Sequence, residues 1–413
     1  MESKVVVTGL GAVTPCGNSV DTLWDSLVNT RSGINKIQGF SSEEYGYKVY
    51  VAGQVKDLDE ESRINKKVIR RNDNFVNYAL YAAYEAIHQA KLNDGSIDLD
   101  RVGVIVGSGI GGVQGFVTNV MSLYHGNGTV SPFLIPRVIT DMASGMISIE
   151  YGFSGPNYSI SSACATGNHA ILNAYHSIRR GEADAIVTGG TEGAISLLTV
   201  CGFASAQALS ANPDPERACR PWDLNRDGFI IGEGAGIVVL ETEESAKRRG
   251  VPIIAEIVGG GMSADAYHIT APHPEGKGAI ISMNTAIQSA RIKKEEITYI
   301  NAHGTSTPLG DLAETKAIKG VFGEHAYNIA VNSTKSMTGH LIAAAGGVEA
   351  IACIKTLQTG IVHPTANLVD PDPECDLNYV PLKAQKHDVK YALSNSFGFG
   401  GHNCSLIFKK YEN

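Results

Sequence analysis

Cys164, His303, Lys335 and His340 are the side chains of this sequence whose types and settings could carry acyl chemistry. Cys164 follows the strand-like run Tyr158-Ser159-Ile160-Ser161 and precedes Ala165-Thr166-Gly167-Asn168-His169-Ala170-Ile171-Leu172, which reads as a helix. A helix N-terminus favours thiolate, by about 0.3–1 kcal/mol when exposed and up to ~2 kcal/mol when partly buried. At ~1.36 kcal/mol per pKa unit, that lowers the thiol by about one unit. A base or cation nearby must do the rest. Free cysteines are most often small core residues, and position alone does not separate the two readings. The second half of the chain does. Asn301-Ala302-His303-Gly304-Thr305-Ser306-Thr307-Pro308 puts a histidine at a strand end among small residues, and Asn332-Ser333-Thr334-Lys335-Ser336-Met337-Thr338-Gly339-His340 puts a lysine and a histidine at a strand-to-helix junction. Two imidazoles and a thiol at strand C-termini are where α/β proteins place their sites.

The elements that must position these groups read as two copies of one α/β unit. Val5-Val6-Val7-Thr8-Gly9 is matched by Glu256-Ile257-Val258-Gly259-Gly260, and the helical Ala86-Ile87-His88-Gln89-Ala90-Lys91 by Ala286-Ile287-Gln288-Ser289-Ala290-Arg291. The buried-looking strand 102–106 pairs in this sense with 297–301, the segment 161–167 with 333–339, and the strand 185–189 with 391–395. Five matches in one order predict a duplication, with halves 1–252 and 253–413. Short β-rich runs alternating with helical ones predict largely parallel sheets covered by helices.

Composition narrows the function classes. The 413 residues are 43% hydrophobic and 18% charged, with 46 glycines, many placed after apolar runs where strand-to-helix turns need them. A net charge of −8 argues against a general nucleic-acid binder. No apolar stretch approaches the ~20 residues of a membrane span, and the first strand begins too early to leave room for a signal peptide. Seven cysteines contain no CxxC pair, which suggests neither a disulfide framework nor a zinc site. A reduced, cytoplasmic protein is expected.

Two motifs are weaker than they look. Gly107-Ser108-Gly109-Ile110-Gly111-Gly112 matches the dinucleotide fingerprint, but the acid needed about 20 residues on to hold a ribose is missing near Thr118–Met121. A close-packed turn is the better reading. Asp223-Leu224-Asn225-Arg226-Asp227-Gly228 starts like a calcium loop, yet its twelfth position is Gly234 rather than glutamate. An Asx-rich turn is expected there.

The same segments, with Val7-Thr8-Gly9-Leu10-Gly11, Ala163-Cys164-Ala165-Thr166-Gly167, Gly189-Gly190-Thr191-Glu192, Arg226-Asp227-Gly228-Phe229, Asp265-Ala266-Tyr267-His268 and Asn395-Ser396-Phe397-Gly398-Phe399-Gly400-Gly401, closely resemble the β-ketoacyl-[acyl-carrier-protein] synthases of the thiolase superfamily. The likeness runs nearly end to end and is to the elongating class, synthases I and II. It implies a thiolase-like, duplicated five-layer α-β-α-β-α fold with two mixed, mostly parallel sheets, and a homodimer. It also implies a reaction. Cys164 accepts an acyl chain from acyl-ACP, malonyl-ACP is decarboxylated, and the resulting carbanion attacks the bound thioester. Initiating synthases carry Cys-His-Asn and thiolases a second cysteine as base, so a histidine at 340 points to elongation.

The resemblance assigns further roles. His303 and His340 would donate hydrogen bonds to the enolate oxygen; Lys335 would hold His340 through hydrogen bonds and add positive potential. The backbone N–H groups of Cys164 and Phe399 would form the acyl oxyanion hole. Phe399 would also be a gate, with Gly398 and Gly400 giving it backbone freedom. Thr305 and Thr307 match pantetheine contacts, Asp265 a substrate-side position, and Ile110 with Phe133 of the partner subunit an apolar acyl tunnel. Asn301, Glu349, Ser394 and Asn395 match a structural monovalent-cation site. No cofactor is implied beyond the phosphopantetheine that arrives on the carrier protein.

Docking has its own signal. Arg63, Lys66, Lys67, Arg70 and Arg71 fall at i, i+3, i+4, i+7 and i+8, one basic stripe if helical. On an acidic protein this could steer an acidic acyl carrier protein. Gln207 is neutral where synthase II of bacteria often has a basic residue, and Asn168-His169 departs from the usual synthase II pattern, so the subclass stays open. A polyketide ketosynthase and a non-catalytic chain-length factor are the rival readings. The latter lacks the active cysteine that this chain keeps.

Overall fold

The computed structural model describes residues 3–126 and 128–412. Apolar runs of five to ten residues become strands buried on both faces, which is why they read as continuous rather than alternating. Val5–Val13, for instance, is buried at all nine positions. The ten strands of the main ladder are β1 (Val5–Val13), β2 (Val102–Gly107), β3 (Asn157–Tyr158), β4 (Ala185–Glu192), β5 (Gly234–Thr242), β6 (Ala255–Ala264), β7 (Ile297–Asn301), β8 (Ala330–Asn332), β9 (Tyr391–Gly398) and β10 (His402–Lys409). Their order is β3-β2-β4-β5-β1-β6-β10-β9-β7-β8. Each side of the β1–β6 seam repeats the other: two antiparallel pairings nearest the seam, then two parallel ones.

The five sequence matches fall on equivalent elements of this pattern, and β5 and β10 add a sixth correspondence that their sequences hide. Two expectations change. The sheets are mixed, but antiparallel pairings slightly outnumber parallel ones. The link from β9 to β10 is a tight hairpin, which can only join antiparallel strands. The halves are also hydrogen-bonded into one ladder, because Val5, Val6 and Val7 of β1 pair with Ile257, Glu256 and Ala255 of β6.

Helices make the remaining layers. Those that bear on the site and its packing are α1 (Lys66–Arg71), α2 (Asn74–Gln89), α3 (Thr166–Arg179), α4 (Lys277–Ala290), α5 (Pro308–Phe322), α6 (Lys335–Thr338) and α7 (Ala344–Thr359). Helices α3 and α7 lie against strands of both halves and form the central layer, with Ile171, Leu172, Val348 and Ile351 in its core. Outside, α2 covers β1, β5 and β4, while α4 covers β6 and β10. The same device seats both outer helices. A Cβ on Gly9 or Gly11 would stand 2.1 or 1.9 Å from the carbonyls of Ala86 or Ala82, and one on Gly261 2.2 Å from that of Ser282. Glycine lets strand and helix backbones touch, and the two halves use it at matching positions.

Candidate active site

The nucleophile turn runs from β3 into α3. Ser162 donates its N–H to Thr166 Oγ1 (2.8 Å), and Ala165 caps the helix. Between them Ala163 sits in the left-handed region at φ 51°, where a residue with a Cβ is strained by about 1–2 kcal/mol. That turn aims Cys164 into a cavity of about 400 Å³ that also meets His303, His340, Thr305, Thr307, Phe399 and Asp265. The thiol of the first half and both imidazoles of the second therefore share one chamber. Cys164 is 8% exposed. Burial pushes its thiol up to about 12, while the Lys335 ammonium and the backbone N–H groups of Phe399 and Cys164 itself pull it down and Glu192 pushes it up. Burial outweighs the lowering that a helix N-terminus gives, so a base must take the proton, as the sequence reading requires.

His303 stands at the end of β7. Its N–H and that of Gly304 donate to the two carboxylate oxygens of Glu314 on α5, at 2.9 and 2.8 Å. His340 follows α6 and donates its N–H to Ile230 O (2.6 Å), with its ring edge-on to Phe229. The imidazoles are 5.3 Å apart at 87°. Nδ1 of His303 and both ring nitrogens of His340 are buried without a hydrogen-bond partner. Burial first, then the charge of Lys335, holds both well below the usual imidazole range. They are neutral.

Lys335 makes a buried ion pair with Glu349 on α7. The hydrogen bond to His340 expected from the resemblance is replaced by this pair, and Lys335 acts on the thiol and imidazoles through its field alone. Burial raises the Glu349 carboxyl to about 7 against the pull of Lys335.

Residues 399–401 form the turn between β9 and β10. The Phe399 ring packs toward Phe203 at 6.4 Å, and the Phe399 N–H faces the Cys164 sulfur. Gly400 and Gly401 have φ of 85° and 74° and are pinned by Ile269 O and Gly398 O. Gly398 differs from expectation. It lies in strand conformation, and glycine is needed there because a Cβ would stand 2.8 Å from Ser162 O and 3.0 Å from Cys164 N. Gly401, not singled out from sequence, takes the second left-handed position. Asp265 lines the cavity, but both its oxygens are taken, by Asn403 Nδ2 (2.9 Å) and the His273 N–H (3.1 Å). Its own N–H donates to Gly401 O (2.9 Å), so it braces the turn. Thr305 and Thr307 share a hydrogen bond of 3.0 Å at the cavity wall.

Other expected residues lie elsewhere. Ile110 does not line the cavity; its N–H bonds Glu192. Phe133 is on the outer surface under the Arg71 guanidinium. Arg63 leaves the basic stripe: it stacks on Tyr81, donates to Tyr81 O and meets Glu85, because helix α1 begins only at Lys66. Lys66, Lys67, Arg70 and Arg71 remain exposed.

For the cation set, Asn301 Oδ1, Glu349 Oε2 and Ser394 Oγ are buried oxygens without partners. Asn301 and Ser394 are paired neighbours on β7 and β9. Hard oxygen ligands of this kind suit a monovalent cation. The side chain of Asn395 does not join them. One step along the strand it turns to the opposite face, where it bonds Glu314 and Ser405.

In the glycine loop the four N–H groups from Gly109 to Gly112 are already engaged within the protein. Gly109 and Ile110 N–H groups donate to Glu192, Gly111 to Ser108 Oγ and Gly112 to Val138 O. Asp223 and Asp227 likewise accept from nearby N–H and hydroxyl groups, and Arg226 is buried against Asp311 and Asp372, so this loop is an Asx-rich turn. Glu314, which fixes the His303 loop, was not identified from sequence, and Arg226, which holds the Thr307 and Pro308 carbonyls, was quoted only within a family segment and given no role. Their spacing from His303 is meaningful only once α5 folds back over the loop.

A thiol, two neutral imidazoles and a pair of backbone N–H donors around one chamber form a site with the groups that acyl transfer needs. Models of the beta-ketoacyl synthase N-terminal and C-terminal domains match residues 2–246 and 254–369. The chain belongs to the beta-ketoacyl synthase family. It is 50% identical to a 3-oxoacyl-[acyl-carrier-protein] synthase 2 of Staphylococcus aureus over 99% of both chains, and 48% identical to one of Synechocystis over 100% of this chain and 99% of the relative. Among solved structures, a beta-ketoacyl synthase from Burkholderia phymatum matches with TM-score 0.92 at 33% identity, covering 99% and 100% of the two chains. A type II polyketide ketosynthase solved with its acyl-carrier protein matches with TM-score 0.92 at 34% identity over all of both chains.

Proposed function

We propose that this chain is an elongating 3-oxoacyl-ACP synthase working through Cys164. The observation that carries the reading is the shared chamber of Cys164, His303 and His340, with three ring nitrogens unpartnered. Acyl transfer begins as the thiol attacks the acyl-ACP thioester. A neutral imidazole takes its proton and passes it to the departing pantetheine thiol, and the N–H groups of Cys164 and Phe399 hold the oxyanion. In the second half-reaction, His303 and His340 donate to the thioester oxygen of malonyl-ACP as its carboxylate leaves as CO2. The carbanion attacks the acyl-cysteine, the C–S bond breaks, and the cysteine thiolate regains a proton. Incubation with malonyl-ACP and acyl-ACPs should give 3-oxoacyl-ACPs two carbons longer, identified by mass. Decarboxylation without chain extension by the wild-type protein would defeat the reading. Identity to the synthase 2 relatives over the full chain favours fatty-acid substrates over the polyketide reading.

The wider assignments rest on supporting features. Thr305 and Thr307 would hold pantetheine, Phe399 would gate the second substrate, and a cation bound by Asn301, Glu349 and Ser394 would neutralise buried oxygens. A homodimer is supported by the exposed apolar side chains Phe116, Met121, Tyr124, Ile135 and Ile149 and by the exposed edge strand β3, since exposed edges and apolar side chains invite pairing. Phe133 would be donated to a partner's tunnel, and its exposed ring is compatible with that role. Among the described residues no helix is long and apolar enough to cross a membrane; we place the protein in the cytoplasm. Lys66, Lys67, Arg70 and Arg71 would receive the acidic carrier. Reversing these four charges should raise the KM for carrier-bound substrates at low salt several-fold and leave kcat nearly unchanged. An unchanged KM would remove α1 from the docking surface.

A further inference from the structure

At the nucleophile turn, among residues that do not line the chamber, lies a polar contact that the reaction above does not use. Ser162 Oγ and His169 Nδ1 share a hydrogen bond of 2.8 Å, and each residue is only 8% exposed. Ser162 is two residues before Cys164, and His169 is one turn into α3. Burial and the neighbouring His402 keep the His169 imidazole low, at about 4, so it is neutral. The backbone of Ser162 touches both halves of the oxyanion hole. Ser162 carries the turn through Ser162 N to Thr166 Oγ1 and Ala165 N to Ser162 O (3.1 Å), with the strained Ala163 between. The Ser162 carbonyl also packs directly on Gly398, the residue before Phe399. Beyond it, the His402 ring lies against Gly400, on the other side of Phe399.

We propose that the Ser162–His169 couple is a positioning pair for the oxyanion hole: it fixes the strained turn so that the Cys164 N–H and the Phe399 N–H point at the same oxygen. A left-handed alanine is held only where its surroundings over-determine it, and a hydroxyl tied to the first turn of the next helix does so here. The proposal rests on the acyl-cysteine reading. It predicts an effect on acyl transfer that leaves decarboxylation alone, because His303 and His340 are held by Glu314 and Ile230 and not by this turn.

The test is the rate of Cys164 acylation from acyl-ACP, followed by intact-protein mass. Ser162→Ala and His169→Phe should each slow it about tenfold, and the double variant should be no slower than either single one, because both remove the same bond. His169→Asn, whose amide sits where Nδ1 does, should stay within about twofold of wild type. Decarboxylation of malonyl-ACP should be equal in Cys164→Gln and in Cys164→Gln with His169→Phe. Acylation at the wild-type rate in Ser162→Ala overturns the pair. So does equal loss of acylation and decarboxylation, which marks a general packing defect. Failure of the wild-type protein to acylate would instead sink the acyl-cysteine reading itself.

Discussion

Replacing Cys164 with alanine should abolish condensation, with a loss on the order of 10⁴-fold or more, the scale seen when a covalent nucleophile is removed. No acyl-enzyme should be seen by intact mass. The six other cysteines cannot substitute. None of them lines the chamber, where Cys164 is the one cysteine among the described residues, and Cys16 is turned to the Met337 carbonyl. Replacement with glutamine should behave differently. Its side-chain carbonyl can lie where the acyl thioester carbonyl would, between the N–H groups of residues 164 and 399. The chamber then resembles the acylated enzyme, and His303 and His340 are intact. Cys164→Gln should therefore still release CO2 from malonyl-ACP while forming no 3-oxoacyl product. Condensation by either variant near the wild-type rate would mean that the acyl chain rides on another group.

Cys164, His303 and His340 were legible in the sequence because each stands at a strand end beside small residues, and because two copies of one pattern show which strand ends are equivalent. The duplication was legible for the same reason: glycines and alanines that seat α2 and α4 on their strands leave a repeated spelling. What stayed hidden depended on three-dimensional partners. The partner of Lys335 is a glutamate fourteen residues on, across a helical turn and the start of α7, and spacing alone could not choose it over His340. Arg63 looked like part of a helix stripe, yet that helix begins three residues later, and Tyr81 and Glu85 of α2 claim the guanidinium. Gly398 looked like a hinge. Its true constraint is the backbone of Ser162, more than two hundred residues away in the chain. The raised thiol of Cys164 was hidden as well, because a helix N-terminus can be read from sequence, whereas burial cannot.

Changing His303 or His340 to alanine should lower malonyl-ACP decarboxylation by about 10²–10³-fold, the usual loss when one donor to a developing oxyanion is removed. Cys164 acylation should suffer less, because its oxyanion is held by backbone N–H groups. The pH profile gives a sharper test. A neutral imidazole keeps its N–H donor while offering a lone pair, and both imidazoles are held well below the usual range by burial and Lys335. Decarboxylation should therefore not fall as pH is lowered from 8 to 6.5; the acid limb should come later. A midpoint near 6.5, the ordinary imidazole value, would show that these histidines are solvated or are not the donors. Lys335→Met supplies the sign. Removing the ammonium takes away a charge that opposes imidazole protonation, so the acid limb should move up in pH. The abandoned Glu349 should not reverse this: its carboxyl is already raised to about 7 with the lysine present, and without it burial should favour the neutral acid further. An acid limb that stays in place in Lys335→Met would mean that Lys335 supports Glu349 alone and contributes no field to the chamber.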